Sequence, residues 1–187
     1  MPKDIPVSNG NLLLNFDSDY QIRDVYFPFI GQENHTNGAT FRFGVWVDGR
    51  CSWMGPEWEK DLRYQDNSLV TNVTLKNESL GLELRCHDLV DVDLNVYIKE
   101  IEVINLLGNE RQVRLFFCHD FNLYSYSIGD TAYFDPRTSS IIHYKANRYF
   151  LINCSKPGKT GVNHYACCDK EGPDREEIWN NADRGIL

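Results

Sequence analysis

The groups in this chain that could do chemistry are carboxylates, imidazoles, thiols and a generous supply of aromatic rings. Acidic residues number 27. Glycoside hydrolysis commonly uses two carboxylates held roughly 5–9.5 Å apart, one as acid and one as base or nucleophile. With so many acids, some pair at that spacing arises by chance, so number alone selects none. Context selects Glu33, which lies in the stretch YFPFIGQENHTNG at 26–38. There Tyr26, Phe27 and Phe29 precede a polar run of Gln32, Glu33, Asn34 and His35, with Gly31 and Gly38 permitting sharp chain reversals. A plain hairpin needs none of these side chains. The segment is expected to meet something: a substrate cleft or a neighbouring domain.

The tripeptide Cys-His-Asp occurs twice, at Cys86-His87-Asp88 and Cys118-His119-Asp120. Neighbouring residues of a strand point to opposite faces, so a Cys and the His beside it do not easily reach one metal ion. The spacing therefore reads as a buried thiol beside a hydrogen-bonded imidazole, and no metal or other cofactor is expected. His143 and His164 have no distinguishing spacing. The six cysteines form neither a zinc pattern nor a dense disulfide scaffold and read as free, mostly buried thiols. No nucleophile elbow or phosphate-cradling glycine loop is present. Trp46, Trp53 and Trp58 fall close together. They form either an aromatic contact surface, for a sugar or another domain, or part of the core beneath a second layer.

The net charge of −8 argues against nucleic acid and against an anionic membrane as partner. No run is apolar and long enough to span a bilayer. The opening MPKDIPVSNG has no apolar segment of the secretory kind, so a cytoplasmic location is expected. The four Asn-x-Ser/Thr triplets at Asn34, Asn72, Asn77 and Asn153 carry little weight without a secretory route.

Period-two alternation sets the elements that must position these groups. In TFRFGVWVDG, Phe41, Phe43, Val45 and Val47 share one face, and Asp48-Gly49 supplies a tight hairpin turn into RCSWM. A second hairpin runs from 69–75 through Lys76–Ser79 to 80–90, with Leu82, Leu84 and Cys86 inward. A third is expected between LNVYIKEIEVINL and RQVRLFFCHDF across Gly108-Asn109, with a β-bulge near Lys99-Glu100. Leu115, Phe116, Phe117 and Cys118 predict a strand covered on both faces. Further strands read at TAYFD, SIIHYKA and RYFLINC. Many short strands and no 3.6-residue apolar stripe before 170 predict an all-β fold, a large antiparallel sandwich or a barrel. The charged tail after 172 predicts a short irregular or helical segment starting at Pro173, with Asp174, Glu176 and Glu177 at its positive end.

GNLLLNFDSDYQIRDVYFPFIGQENHTNG followed by FRFGVWVDG, and later GDTAYFDPRTSSIIHYKANRYFLINC, resemble the opening of the bacterial and archaeal glucoamylase-like enzymes of glycoside hydrolase family 15. The resemblance implies a supersandwich of the galactose-mutarotase-like kind over 1–172. It makes 173–187 the approach to a linker and an (α/α)6 barrel outside this chain. That barrel carries the two catalytic glutamates acting on α-glucosides, so no catalytic residue is expected here. The implied partners are the barrel and, through it, an α-glucan or oligosaccharide. A face normally covered by the barrel would leave an apolar patch and promote self-association. Two other readings stay open: a stand-alone α-glucan-binding module, and a mutarotase-like sugar epimerase using a His/Glu pair.

Overall fold

A computed structural model of the chain describes residues 5–171 and 173–187. The first four residues of the secretory-signal reading and the proposed boundary at Gly172 lie outside the described residues.

Fifteen strands and one helix are described: β1 (Ile5–Ser8), β2 (Leu13–Phe16), β3 (Ile22–Tyr26), β4 (Arg42–Val47), β5 (Arg50–Trp53), β6 (Glu59–Tyr64), β7 (Thr71–Asn77), β8 (Leu82–Val90), β9 (Tyr97–Asn105), β10 (Val113–Cys118), β11 (Thr131–Asp135), β12 (Ser140–Lys145), β13 (Arg148–Ile152), β14 (Ser155–Lys156), β15 (Lys159–Thr160) and α1 (Pro173–Asp183). All strand pairs are antiparallel. The main sheets run β6-β7-β8-β9, β1-β2-β3, β10-β4-β5 and β11-β12-β13. Paired amide bonds between Ile22 and Phe41, 2.9 and 3.1 Å, stitch the β3 sheet to the approach to β4.

One hydrophobic core joins these sheets. Val73, Leu75, Leu82, Leu84 and Cys86 of the four-stranded sheet meet Leu14, Phe16, Phe43, Val45 and Val47 from the opposite layer, all at most 4% exposed. This is the sandwich that the alternation predicts: apolar side chains at every second position must leave water together. The β4–β5 hairpin turns at Asp48 and Gly49 with φ of 51° and 77°, and the β7–β8 hairpin places Leu82, Leu84 and Cys86 inward as expected.

A polar knot sits inside this core. Asp88 is wholly buried, and its carboxylate accepts from Tyr20 Oη, from Thr71 Oγ1 at 2.9 Å, from Tyr97 Oη at 2.5 Å and from Lys99 Nζ at 2.9 Å. Lys99 also lies 3.9 Å from the centre of the Tyr20 ring. Burial, then the neighbouring Asp88 charge, pushes both tyrosine hydroxyls well above their ordinary pKa, so they stay protonated donors. Within the first Cys-His-Asp, Cys86 and Asp88 thus point into the core. His87 points the other way, its Nδ1 2.9 Å from Thr71 O.

Three expectations fail. β9 and β10 are not a hairpin: β9 pairs with β8 and ends the four-stranded sheet, whereas β10 crosses over to pair with β4. β9 also has no bulge, since its nine pairs with β8 run without a shift. Its mixed pattern reflects an edge position, where Ile98 stays 45% exposed. β10 is likewise an edge strand, and Phe117 beside Phe43 remains 46% exposed instead of being covered.

Candidate functional site

The 26–38 stretch follows β3 and is closed by its own backbone. Tyr26 bridges to Asn34, Phe27 N donates to Glu33 O, and Phe29 O accepts from the amides of Gln32 and Glu33, both at 3.1 Å. Tyr26 and Phe27 are half-buried at the base of the loop, and the Phe27 ring packs edge-on against Phe150 of β13. Phe29, Ile30 and Gln32 remain exposed at the tip.

The four polar residues do not converge on open space. Asn34 Nδ2 donates to Asp24 at 2.8 Å, and its Oδ1 accepts from the amides of Val25 and Thr36. Glu33 makes a two-pronged ion pair with Arg148, at 3.0 and 3.1 Å. His35 is fully buried, against Phe150 and Tyr124. Its Nδ1 accepts from the Tyr124 amide at 3.2 Å, which puts the proton on Nε2, and Nε2 donates to Phe27 O at 2.6 Å. Burial holds its pKa below the ordinary value. Asn34 and His35 therefore spend these polar groups on bracing the loop; of the four, Gln32 is the exposed one.

The brace has a second half that composition and spacing do not announce. The turn 123–125 holds Tyr124 and Ser125 at positive φ, 61° and 57°. Left-handed backbone costs a non-glycine residue on the order of 1–3 kcal/mol, and persists where its surroundings over-determine it. Here they do. Asn122 N donates to His35 O at 2.7 Å, Asn122 Nδ2 to Thr36 O at 2.9 Å, and Ser125 Oγ to Asn34 O at 2.9 Å. Leu123 N donates to Asp130, whose carboxylate also receives His143 and Lys145. The returning arm of the loop, Asn34–Thr36, and the turn are thus laced into one rim, with Ser125, Tyr126 and Ile128 exposed beside it.

The tryptophans separate. Trp58 is core, 2% exposed, its indole N–H donating to Ser52 Oγ at 3.0 Å, so it belongs to no contact surface. Trp46 and Trp53 do face outward from the β10-β4-β5 sheet, but this chain covers them. Trp53 lies over Gly44 and meets Trp179 of α1 edge to face, with ring centres 4.7 Å apart. Trp46 lies under Gly185 and is flanked by the Arg114 guanidinium, 4.8 Å from its ring centre, which also donates to Gly185 O.

The second Cys-His-Asp is dispersed too. His119 packs against Phe41 and Phe121, and burial takes its pKa down to about 4. Asp120 faces Lys170 and Arg175. No group of three His, Cys, Asp or Glu among the described residues could hold a metal ion. Cys154, Cys167 and Cys168 are exposed, contrary to the expectation of mostly buried thiols.

One further surface stands out. The open part of the outer face of β11-β12-β13 carries the cross-strand rows Thr131, Tyr144, Tyr149 and Tyr133, Ile142, Leu151, neither with a charged side chain; the third row, Asp135 and Ser140, is buried at the turn between β11 and β12. Tyr133, Tyr149 and Leu151 are 45–61% exposed, and the Tyr144 and Tyr149 rings are parallel, 5.4 Å apart.

An antiparallel, all-β sandwich with a braced rim and an uncharged tyrosine face defines the class of this protein. The crystal structure of a bacterial glucoamylase complexed with acarbose shares the fold, with a TM-score of 0.66 at 16% identity over 78% of this chain. The chain spans 22% of the length of that glucoamylase. No family model and no curated protein matches it. Among the described residues no helix is long and apolar enough to cross a membrane.

Proposed function

We propose that the chain is the non-catalytic N-terminal sandwich domain of a glucoamylase-like α-glucosidase of glycoside hydrolase family 15. It packs on a separate catalytic domain and supports that domain's cleft. The observation that carries this reading is the shared fold with about one-fifth of a glucoamylase, 22% of its chain. The rim fits it: Glu33, Asp24 and Asp130 are each held by neighbouring groups, which suits a fixed contact surface. The uncharged tyrosine face has the composition of an interface centre, rich in Tyr and free of charge. With that face uncovered, weak self-association of the isolated chain is expected.

The same tyrosine face favours a second reading, an α-glucan-binding module. Two measurements on the isolated chain test both. Incubation with maltose and maltooligosaccharides is expected to release no glucose, and calorimetric titration with maltoheptaose to show no binding up to millimolar concentration. Glucose release refutes the non-catalytic reading. Binding that is lost in Tyr149→Ala replaces domain packing with glucan binding as the role of this face.

A further inference from the structure

We infer that His35 is an acid-sensitive bolt: protonating its Nδ1 releases residues 124–126 from the 26–38 loop and loosens the rim without unfolding the sandwich. The device rests on how the ring is wired. The Nδ1 lone pair is the acceptor for the Tyr124 amide, and Nε2–H is already spent on Phe27 O. A second proton can go only to Nδ1, where it meets the Tyr124 N–H head on, donor against donor. The hydrogen bond is then lost, and Tyr124 and Ser125 stand in left-handed backbone with one anchor fewer.

The surroundings offer the new charge no partner. From the loop, Glu33 is the nearest carboxylate, but it is held by both prongs of Arg148, and Arg148 of β13 is itself a cation facing the ring. From the 122–130 segment, Asp130 already accepts from Leu123 N, His143 and Lys145. The rings of Phe150 and Tyr124 fill the remaining contacts. A buried imidazolium with these neighbours is unstable, so it forms by opening the contact. The part that opens lies beyond Leu123, which is wholly buried in the core cluster and keeps its place: Tyr124 only packs against that cluster, and Ser125 and Tyr126 are exposed.

The test is amide hydrogen exchange followed by NMR between pH 7.5 and 4.5, corrected for the intrinsic pH dependence of exchange. The chain as it stands is expected to lose protection at Tyr124 by about tenfold per pH unit once His35 begins to titrate, the slope of one linked proton. Core amides such as Val45 and Leu84 should keep theirs. His35→Gln removes the titration, and Tyr124 protection should then be low and flat with pH; His143→Gln should leave the slope unchanged. Flat Tyr124 protection in the unsubstituted chain, or the same slope in His35→Gln, overturns the inference. If His35→Gln does not fold, the ring titration of the unsubstituted chain decides. A His35 that stays neutral until Val45 and Leu84 also lose protection overturns it; one that titrates together with Tyr124 opening, ahead of the core, supports it.

Discussion

Glu33 and Arg148 are 115 positions apart and share two hydrogen bonds. Nothing in the spacing of either residue foretells the other, because a side-chain contact between distant strands is fixed by how the sheets stack. The sequence marked Glu33, Asn34 and His35 as more than a plain hairpin needs, and could not show that their side chains are tied to distant parts of their own chain. With side chains 21% and 17% exposed, the ion pair should be worth about 1 kcal/mol, as a double-mutant cycle of Glu33→Gln and Arg148→Gln read from urea midpoints will measure. The knot around Asp88 is a different case. Removing its charge strands Lys99 among aromatic rings, so Asp88→Asn should cost about 3–5 kcal/mol in the same assay. Replacing Lys99 by Met in that background should restore most of the loss. His119 adds a pH dependence. Its folded pKa of about 4 lies below the ordinary value of about 6.5, so the folded state binds fewer protons than the unfolded one. The stabilisation it gives is complete above about pH 6.5 and is lost as pH falls towards 4. Melting temperature should drop across that window, and less steeply in His119→Phe.

Local register made β4–β5 and β7–β8 legible: each hairpin needs only alternation on both sides of a turn with the right residues. The same logic misplaced β9 and β10. Gly108-Asn109 between two apolar runs imitates a hairpin, yet β10 pairs along its length with β4, Leu115 beside Val45 and Phe117 beside Phe43, while β9 pairs along its length with β8. Competition of that kind between distant partners leaves no trace in a short window. The helix α1 was legible at its start, with Pro173 first and Asp174 and Glu176 in the first turn. Its role was not, because its apolar content is low; what it supplies is Trp179 and a close approach at Gly185. The helix ends in a Schellman turn, Ile186 N to Asn181 O and Gly185 N to Ala182 O, both 2.9 Å. Trp179→Ala should cost about 1–2 kcal/mol and shift the tryptophan emission to longer wavelength, while far-UV circular dichroism stays that of the parent.

At the scale of the whole molecule, coverage is uneven. The β10-β4-β5 sheet has the core on one side and α1 on the other, whereas the β11-β12-β13 sheet has the core on one side and open tyrosines on the other. Sedimentation velocity should therefore show weak, concentration-dependent association, and Leu151→Lys should abolish it with little change in melting temperature. The interior also decides what chemistry can be added from outside. Asn34 spends its amide on Asp24 and its carbonyl on two backbone amides, and Asn77 is 2% exposed with its carbonyl oxygen taken by Leu80 N and Ser79 Oγ. Both stand in acceptor triplets for N-linked sugar. An oligosaccharide attached there to a nascent chain would occupy the very space these contacts need, so passage through a glycosylating compartment would yield misfolded product.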